Sequence, residues 1–188
     1  MENPAVMISI QPKWCHKIIL GEKTIEIRKS RPKMEPPFVC YIYCTKPSVK
    51  NQTVCGSMVL NSDELYRHPD GSIKYGNSIE LMMYDDYTED NFLNGKVIGK
   101  FVCDKIELLD VSVATPFTPK IIEDSKVSAT EMWEYSKGKD LYLWHISDYE
   151  EFEKPKRLSD FYSFATGSPL SRAPQSWCYT GETWKEKN

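Results

Sequence analysis

Apolar residues alternate with polar ones along much of this chain, and only short stretches carry a helical period. VMISI (6–10) predicts a short strand. In PKWCHKIIL, Trp14 and Ile18 stand at i, i+4; Pro12 suits a first turn and Gly21 a stop, which predicts a short amphipathic helix. TIEIRK then alternates strictly, with Ile25 and Ile27 pointing inward and Thr24, Glu26 and Arg28 outward. SRPKMEPP is a proline-rich loop, and FVCYIYCT (38–45) is apolar enough throughout to be a central strand.

Residues from about 50 to 94 are the least regular, and they predict an insertion or an extended hairpin. TVCGSMVL and SIELMMY are its strands, HPDGS is a turn, and DDYTEDN is an acidic run. GKVIGKFVCDKIELLDV (95–111) reads as one long curving strand in which Gly99 marks a bulge or corner. After a loop through PFTPK, SATEMWEYSKG (128–138) predicts a helix capped by Ser128, with Glu131 completing a capping box and Gly138 ending it. LYLWHISDYEEF is a further strand, RLSDFY a helical turn and SWCYT (176–180) a last strand. The fold class expected is α+β and mostly β: a small β-barrel with short helices at the rim and a central insertion, forming a single domain over 1–188.

Composition narrows the class without naming a function. Apolar residues make up 40% and charged residues 27%, the balance of a globular chain. No apolar run approaches the roughly 20 residues of a membrane span, and MENPAVMISIQP lacks the features of a signal peptide. With Cys15, Cys40, Cys44, Cys55, Cys103 and Cys178 scattered among apolar neighbours, reduced thiols and a cytoplasmic location are expected. The net charge of −3 is unevenly placed: residues 12–50 hold nine Lys/Arg against three Glu, whereas 61–95 hold eight acids against two bases. The basic segment suits a short nucleic-acid ligand, although charge counting alone favours an ordinary solvated surface. No CxxC pair, HxxxH, Walker loop or GxGxxG is present, so neither metal nor nucleotide cofactor is expected.

The chemistry worth testing lies in GEKTIEIRKSRP (21–32). Glu26 and Arg28 are two apart on a strand and leave one face about 7 Å apart, and Lys23 at the preceding turn reaches over that face. Such a group could read the edge of a nucleobase, with the carboxylate accepting from amino groups and the cations donating to acceptors or phosphate. It could also act catalytically, with Glu26 as proton acceptor and Lys23 as its shifted-pKa partner. By alternation alone, an exposed ladder of weak ion pairs explains it better than either. Further candidates for the same ligand-binding surface are Lys13, Trp14, Thr45, Lys46 and His145, with Gln175, Ser176 and Trp177 closing it beside Arg172. For four of these a plainer role stands beside the functional one: Trp14 as a core anchor, Trp177 as packing for the barrel end, Lys46 as a solvated cation, His145 as a hydrogen-bonded interior histidine.

The succession QPKWCHKIILGEKTIEIRKSRP, FVCYIYCTK, GKVIGKFVCDKIE, LYLWHISD, PQSWCY resembles the ASCH family of the PUA-like superfamily. Its G-x-K-x-x-E-x-R motif is met by Gly21, Lys23, Glu26 and Arg28, and the likeness covers most of the chain outside about 50–94. The K-S-R-P extension and the C-terminal SWCY are similar to ASCH proteins of bacteria and their phages. The resemblance implies a PUA-like barrel whose cleft is roofed by the first helix and binds RNA or a modified nucleoside. It also implies an alternative, since relatives include N4-acetylcytidine amidohydrolases and a ribonuclease. The amidohydrolase pattern places a threonine three positions after the lysine, where this chain has Glu26; Thr24 is off the pattern, and Glu131 or Glu134 is the candidate distal acid. Lys23 and Glu26 are therefore catalytic candidates that a binding wall explains better. A third alternative is a protein-interaction module using the acidic segment 61–95.

Overall fold

Alternating and β-branched runs become strands wherever their length allows. A computed structural model describes residues 4–46, 52–55, 58–82 and 88–182. In chain order these form β1 (Ala5–Ile10), α1 (Pro12–Ile19), β2 (Ile25–Arg28), β3 (Phe38–Cys44), β4 (Gln52–Cys55), β5 (Met58–Asn61), β6 (Glu64–Arg67), β7 (Ile73–Gly76), α2 (Ser78–Met82), β8 (Val97–Leu109), α3 (Pro119–Ser125), α4 (Ala129–Ser136), β9 (Leu141–Lys156), β10 (Phe161–Ser163) and β11 (Trp177–Glu182), with 3-10 turns at Glu89–Asn91 and Leu158–Asp160. The protein is therefore α+β and mostly β, as its pattern predicts.

Seven strands form one sheet in the order β10-β11-β1-β3-β8-β9-β2. The expected barrel is not closed among the described residues: β10 and β2 are edges of an open sheet. Both edges are short, three and four residues, and prolines at 32, 36 and 37 follow β2, so little backbone is left to pair across a seam. The expectation for FVCYIYCT holds, since β3 is the middle strand. Within 50–94, β4 with β5 and β6 with β7 form two separate antiparallel hairpins, the second turning at HPDGS through His68 N to Ser72 O at 2.8 Å.

Two compact units share these strands: Met1–His16, Tyr41–Gly99 and Glu151–Asn188 form one, Lys17–Cys40 and Lys100–Glu150 the other. The first has a core of Met7, Tyr43, Val97, Phe152 and Phe161. The second buries Ile25, Ile27, Leu109, Val111, Met132, Leu141 and Leu143, with Phe117, Ile121, Ile122 and Val127 packed against them. In that unit α4 starts as its sequence dictates: Ser128 accepts from the Glu131 amide and the Glu131 carboxylate accepts in return.

Three local expectations need correction. SIELMMY is not a strand over its described part: Asn77 Oδ1 accepts from the Glu80 amide at 3.0 Å and starts α2, overriding a weak alternation. Its last residues, and residues 85–87 of DDYTEDN, lie outside the described residues. The loop through PFTPK continues into α3, with Thr118 as N-cap and Pro119 in the first turn. In α1 the buried stripe is Cys15 and Ile18, whereas Trp14 is half-buried.

Candidate functional site

The second unit holds the residues that sequence reading singled out most strongly. β2 pairs antiparallel with β9 so that Ile25 faces His145, Glu26 faces Trp144, Ile27 faces Leu143 and Arg28 faces Tyr142. Cross-strand neighbours share a face. Ile25, Ile27 and Leu143 therefore line the apolar core, and Glu26 and Arg28 lie on the other face with Trp144. That second face is not the solvated surface that alternation suggests. Lys23 is 2% exposed and Glu26 and Arg28 are 7% exposed each, which overturns the exposed ion-pair ladder. Trp144 is fully buried there and meets Phe38 edge-on, with ring centroids 5.9 Å apart.

Lys23, Glu26 and Arg28 form one ionic row. Glu26 Oε2 lies 3.3 Å from Lys23 Nζ and Glu26 Oε1 lies 3.2 Å from Arg28 Nε, so one carboxylate is shared by two cations. Both distances exceed the roughly 2.7–2.9 Å of a tight charge-assisted hydrogen bond. The shorter contact of Lys23 is elsewhere: its Nζ donates to the Ser125 carbonyl at 2.7 Å. Ser125 ends α3, where unsatisfied carbonyls favour a cation. The backbone ties the same pieces together, with Thr24 N donating to Asp124 O and Ile146 N to Thr24 O.

Burial, opposed by the Glu26 carboxylate, holds the Lys23 ammonium below its ordinary pKa of 10.5. The linkage has a definite sign. With a depressed folded-state pKa, the unfolded chain binds more protons between that value and 10.5, so this group makes stability rise with pH across the window. Unfolding wild type and Lys23→Met in urea from neutral pH upward should therefore show wild type gaining on the variant as 10.5 is approached. Parallel curves would mean that Lys23 is solvated. The buried thiols of Cys40 and Cys103, both pushed up by burial, tilt stability the other way above 9.0 but are present in both proteins and cancel in the difference.

Sequence reading missed the residues around this row. Tyr135 on α4 interacts electrostatically with Arg28 and Glu26, its oxygen is hydrogen-bonded by the Lys29 backbone, and burial raises its pKa. It is nevertheless 39% exposed, and the Lys29 ammonium lies 4.6 Å from its ring centroid. The charge of Arg28 also reaches Cys40 on β3. A signal for Tyr135 was present: it follows buried Met132 by three on α4, which sets it beside the buried stripe.

Among the other predicted residues, His145 is opposite Ile25 and so on the face away from Glu26 and Arg28. It is a hydrogen-bonded histidine, with Nε2 2.6 Å from Glu107 Oε1. Glu107 also meets Lys105 at 2.9 Å, and these contacts, Lys105 foremost, hold its carboxyl below the usual range. The carboxylate of Glu131 is engaged in the α4 capping box, and Glu134 is exposed.

Lys13, Trp14, Thr45, Lys46, Gln175, Ser176 and Trp177 belong to the first unit. There Thr45 N donates to Ile10 O and Ser176 O accepts from Ser9 N, which fixes both beside the end of β1. The Lys13 ammonium lies 4.3 Å from the Trp14 ring, Lys46 runs along Gly95, and Trp177 packs edge-on against Tyr179. Gln175 and Arg172 are exposed. No group of three or more His, Cys, Asp or Glu residues that could hold a metal occurs among the described residues. No described helix is long and apolar enough to cross a membrane.

No protein-family model matches this chain, and no curated protein matches it. Solved structures do. The ASCH protein of Zymomonas mobilis is 18% identical and superposes with a TM-score of 0.56 over 97% of this chain and 89% of its own. A mutant of that protein is 16% identical with the same TM-score, over 97% of this chain and 92% of that one. A second mutant gives 16% identity and 0.56 over 96% and 89%. The chain thus has the ASCH fold.

Proposed function

We propose, starting from that shared fold, that this protein is an RNA- or modified-nucleoside-binding domain whose recognition wall is Lys23, Glu26 and Arg28. The single observation that supports this most is the burial of three ionisable side chains with two loose ion pairs between them. Such a row is a poor device for stability, because desolvating charges costs more than imperfect pairs return. It is a good device for recognition, because preorganised donors and an acceptor in a dry site discriminate strongly between ligands that match them and ligands that do not.

A second reading is supported by a different observation. Lys23 has a depressed pKa and lies 3.3 Å from a carboxylate in a site shielded from bulk water, which suits an amine acting as a base in amide or RNA hydrolysis. Purified protein should be screened against modified nucleosides and short RNAs, with thermal shift and product formation read together. Binding without product supports recognition, and product that disappears in Lys23→Met supports hydrolysis. Silence in both channels removes both readings and leaves the acidic 61–95 segment as the place to seek a protein partner. Lys23→Met is the informative variant because it leaves Glu26 paired with Arg28.

A further inference from the structure

Resting on the binding reading, the next step concerns what the Lys23 site takes. We propose that it takes the phosphate group of a nucleotide, entering beside Arg28, with the base stacked on Tyr135 and Lys29 released to the phosphate.

Charge is the first support. Residues 23–29, KTIEIRK, carry Lys23, Arg28 and Lys29 against the single carboxylate of Glu26. The neighbouring elements pair or point their charges elsewhere. On α3, Lys120 meets Asp124 and Lys126 meets Glu123. On α4, Glu131 serves the cap and Glu134 is exposed. On β8 and β9, Glu107 meets Lys105 and His145 on the face away from Glu26. Among the described residues of α4 and β3, the Tyr135 phenol and the Cys40 thiol interact electrostatically with the row, both with pKa values raised and so neutral near pH 7. An anion entering here meets a net positive, low-dielectric site, where each charge-assisted contact is strong.

Access and ring chemistry are the second support. Tyr135 is partly exposed and interacts electrostatically with Arg28 and Glu26. Its ring is covered by the Lys29 ammonium. An aromatic base is a better partner for that ring than one partly hydrated ammonium. When a base replaces Lys29 on the ring, the freed cation lies one residue from Arg28, where the phosphate would enter. Free phosphate would use the charges but leave the ring idle, which is why a nucleotide is favoured over the inorganic ion.

The test is calorimetric titration of the intact protein with ribonucleosides, their 5′-monophosphates and inorganic phosphate. The monophosphate should bind about tenfold or more tightly than its nucleoside and more tightly than inorganic phosphate. Lys29→Ala should reduce the advantage over the nucleoside, and Tyr135→Ala should weaken both ligands while Tyr135→Phe retains them. Equal affinity for nucleoside and monophosphate overturns the phosphate assignment and leaves the recognition reading standing. Inorganic phosphate binding as tightly as the monophosphate overturns the role given to Tyr135. If short RNAs and modified nucleosides fail together with these ligands, both readings fall.

Discussion

Replacing Glu26 with alanine should lower the unfolding free energy by about 3–5 kcal/mol, the cost of leaving a buried ion without its partner. Among the described residues the Glu26 carboxylate pairs with both Lys23 Nζ and Arg28 Nε, and its removal takes the shared negative charge from two buried cations. The two cations cannot respond alike. Lys23 can shed its proton, and burial already favours that; arginine keeps its charge in any folded protein. The deficit should therefore shrink as pH rises and Lys23 neutralises, whereas wild type loses nothing by the same route. Urea unfolding of both proteins at neutral and alkaline pH measures this directly. Since domains of this size are stable by only about 5–15 kcal/mol, the variant should also melt well below wild type. A loss under about 1 kcal/mol, insensitive to pH, would show the row behaving as a surface pair and would remove the ground for treating it as a site.

How far β2 can be read from sequence shows where local information ends. The alternation of TIEIRK correctly assigns a strand and puts Ile25 and Ile27 in the core. The capping signals of α4 are likewise local, and Ser128 and Glu131 make the bonds their spacing dictates. What alternation could not give is the fate of the other face of β2. Its cover comes from Ser125, Tyr135 and Trp144, about a hundred residues or more downstream, and the Lys23–Ser125 bond spans 102 positions. Two of the nine bases counted in residues 12–50, Lys23 and Arg28, are consequently interior groups rather than surface charge.

The missed helices have smaller causes. Thr118 and Pro119 are ordinary helix-start residues whose signal was lost in a proline-containing loop. SIELM alternates as a strand would until Asn77 caps it. The open sheet is the least local property of all, because it depends on whether two short edge strands meet. The resemblance to ASCH proteins led to the same fold as the structural comparison, yet the burial of the row and the place of Tyr135 depend on contacts between segments far apart in the chain.

If the row exists for recognition, stability and function should separate when all three charges are removed together. The triple replacement Lys23→Met, Glu26→Leu, Arg28→Met keeps approximate volume on a face that already presents Trp144 to the apolar interior. No ion is stranded, so the desolvation cost of the row disappears. Replacement of buried ion networks by well-packed apolar side chains is commonly neutral or stabilising by about 1–4 kcal/mol. The triple variant should therefore match or exceed wild type in urea and thermal unfolding, in contrast to Glu26→Ala alone. Its expected binding of RNA, nucleosides and nucleotides is none, because the donors and acceptor are gone while the fold remains. A stable variant that still binds would move the site away from β2, toward the first-unit residues beside the end of β1, Thr45 and Ser176. A variant that binds nothing and is much less stable would instead mean that the row holds the second unit together, its ion pairs outweighing their desolvation. The expected outcome is neither, with stability kept and binding lost, because the two ion-pair contacts around the shared carboxylate, at 3.2 and 3.3 Å, are long for buried charges, and the 2.7 Å bond from Lys23 to the Ser125 carbonyl is the tight contact given up.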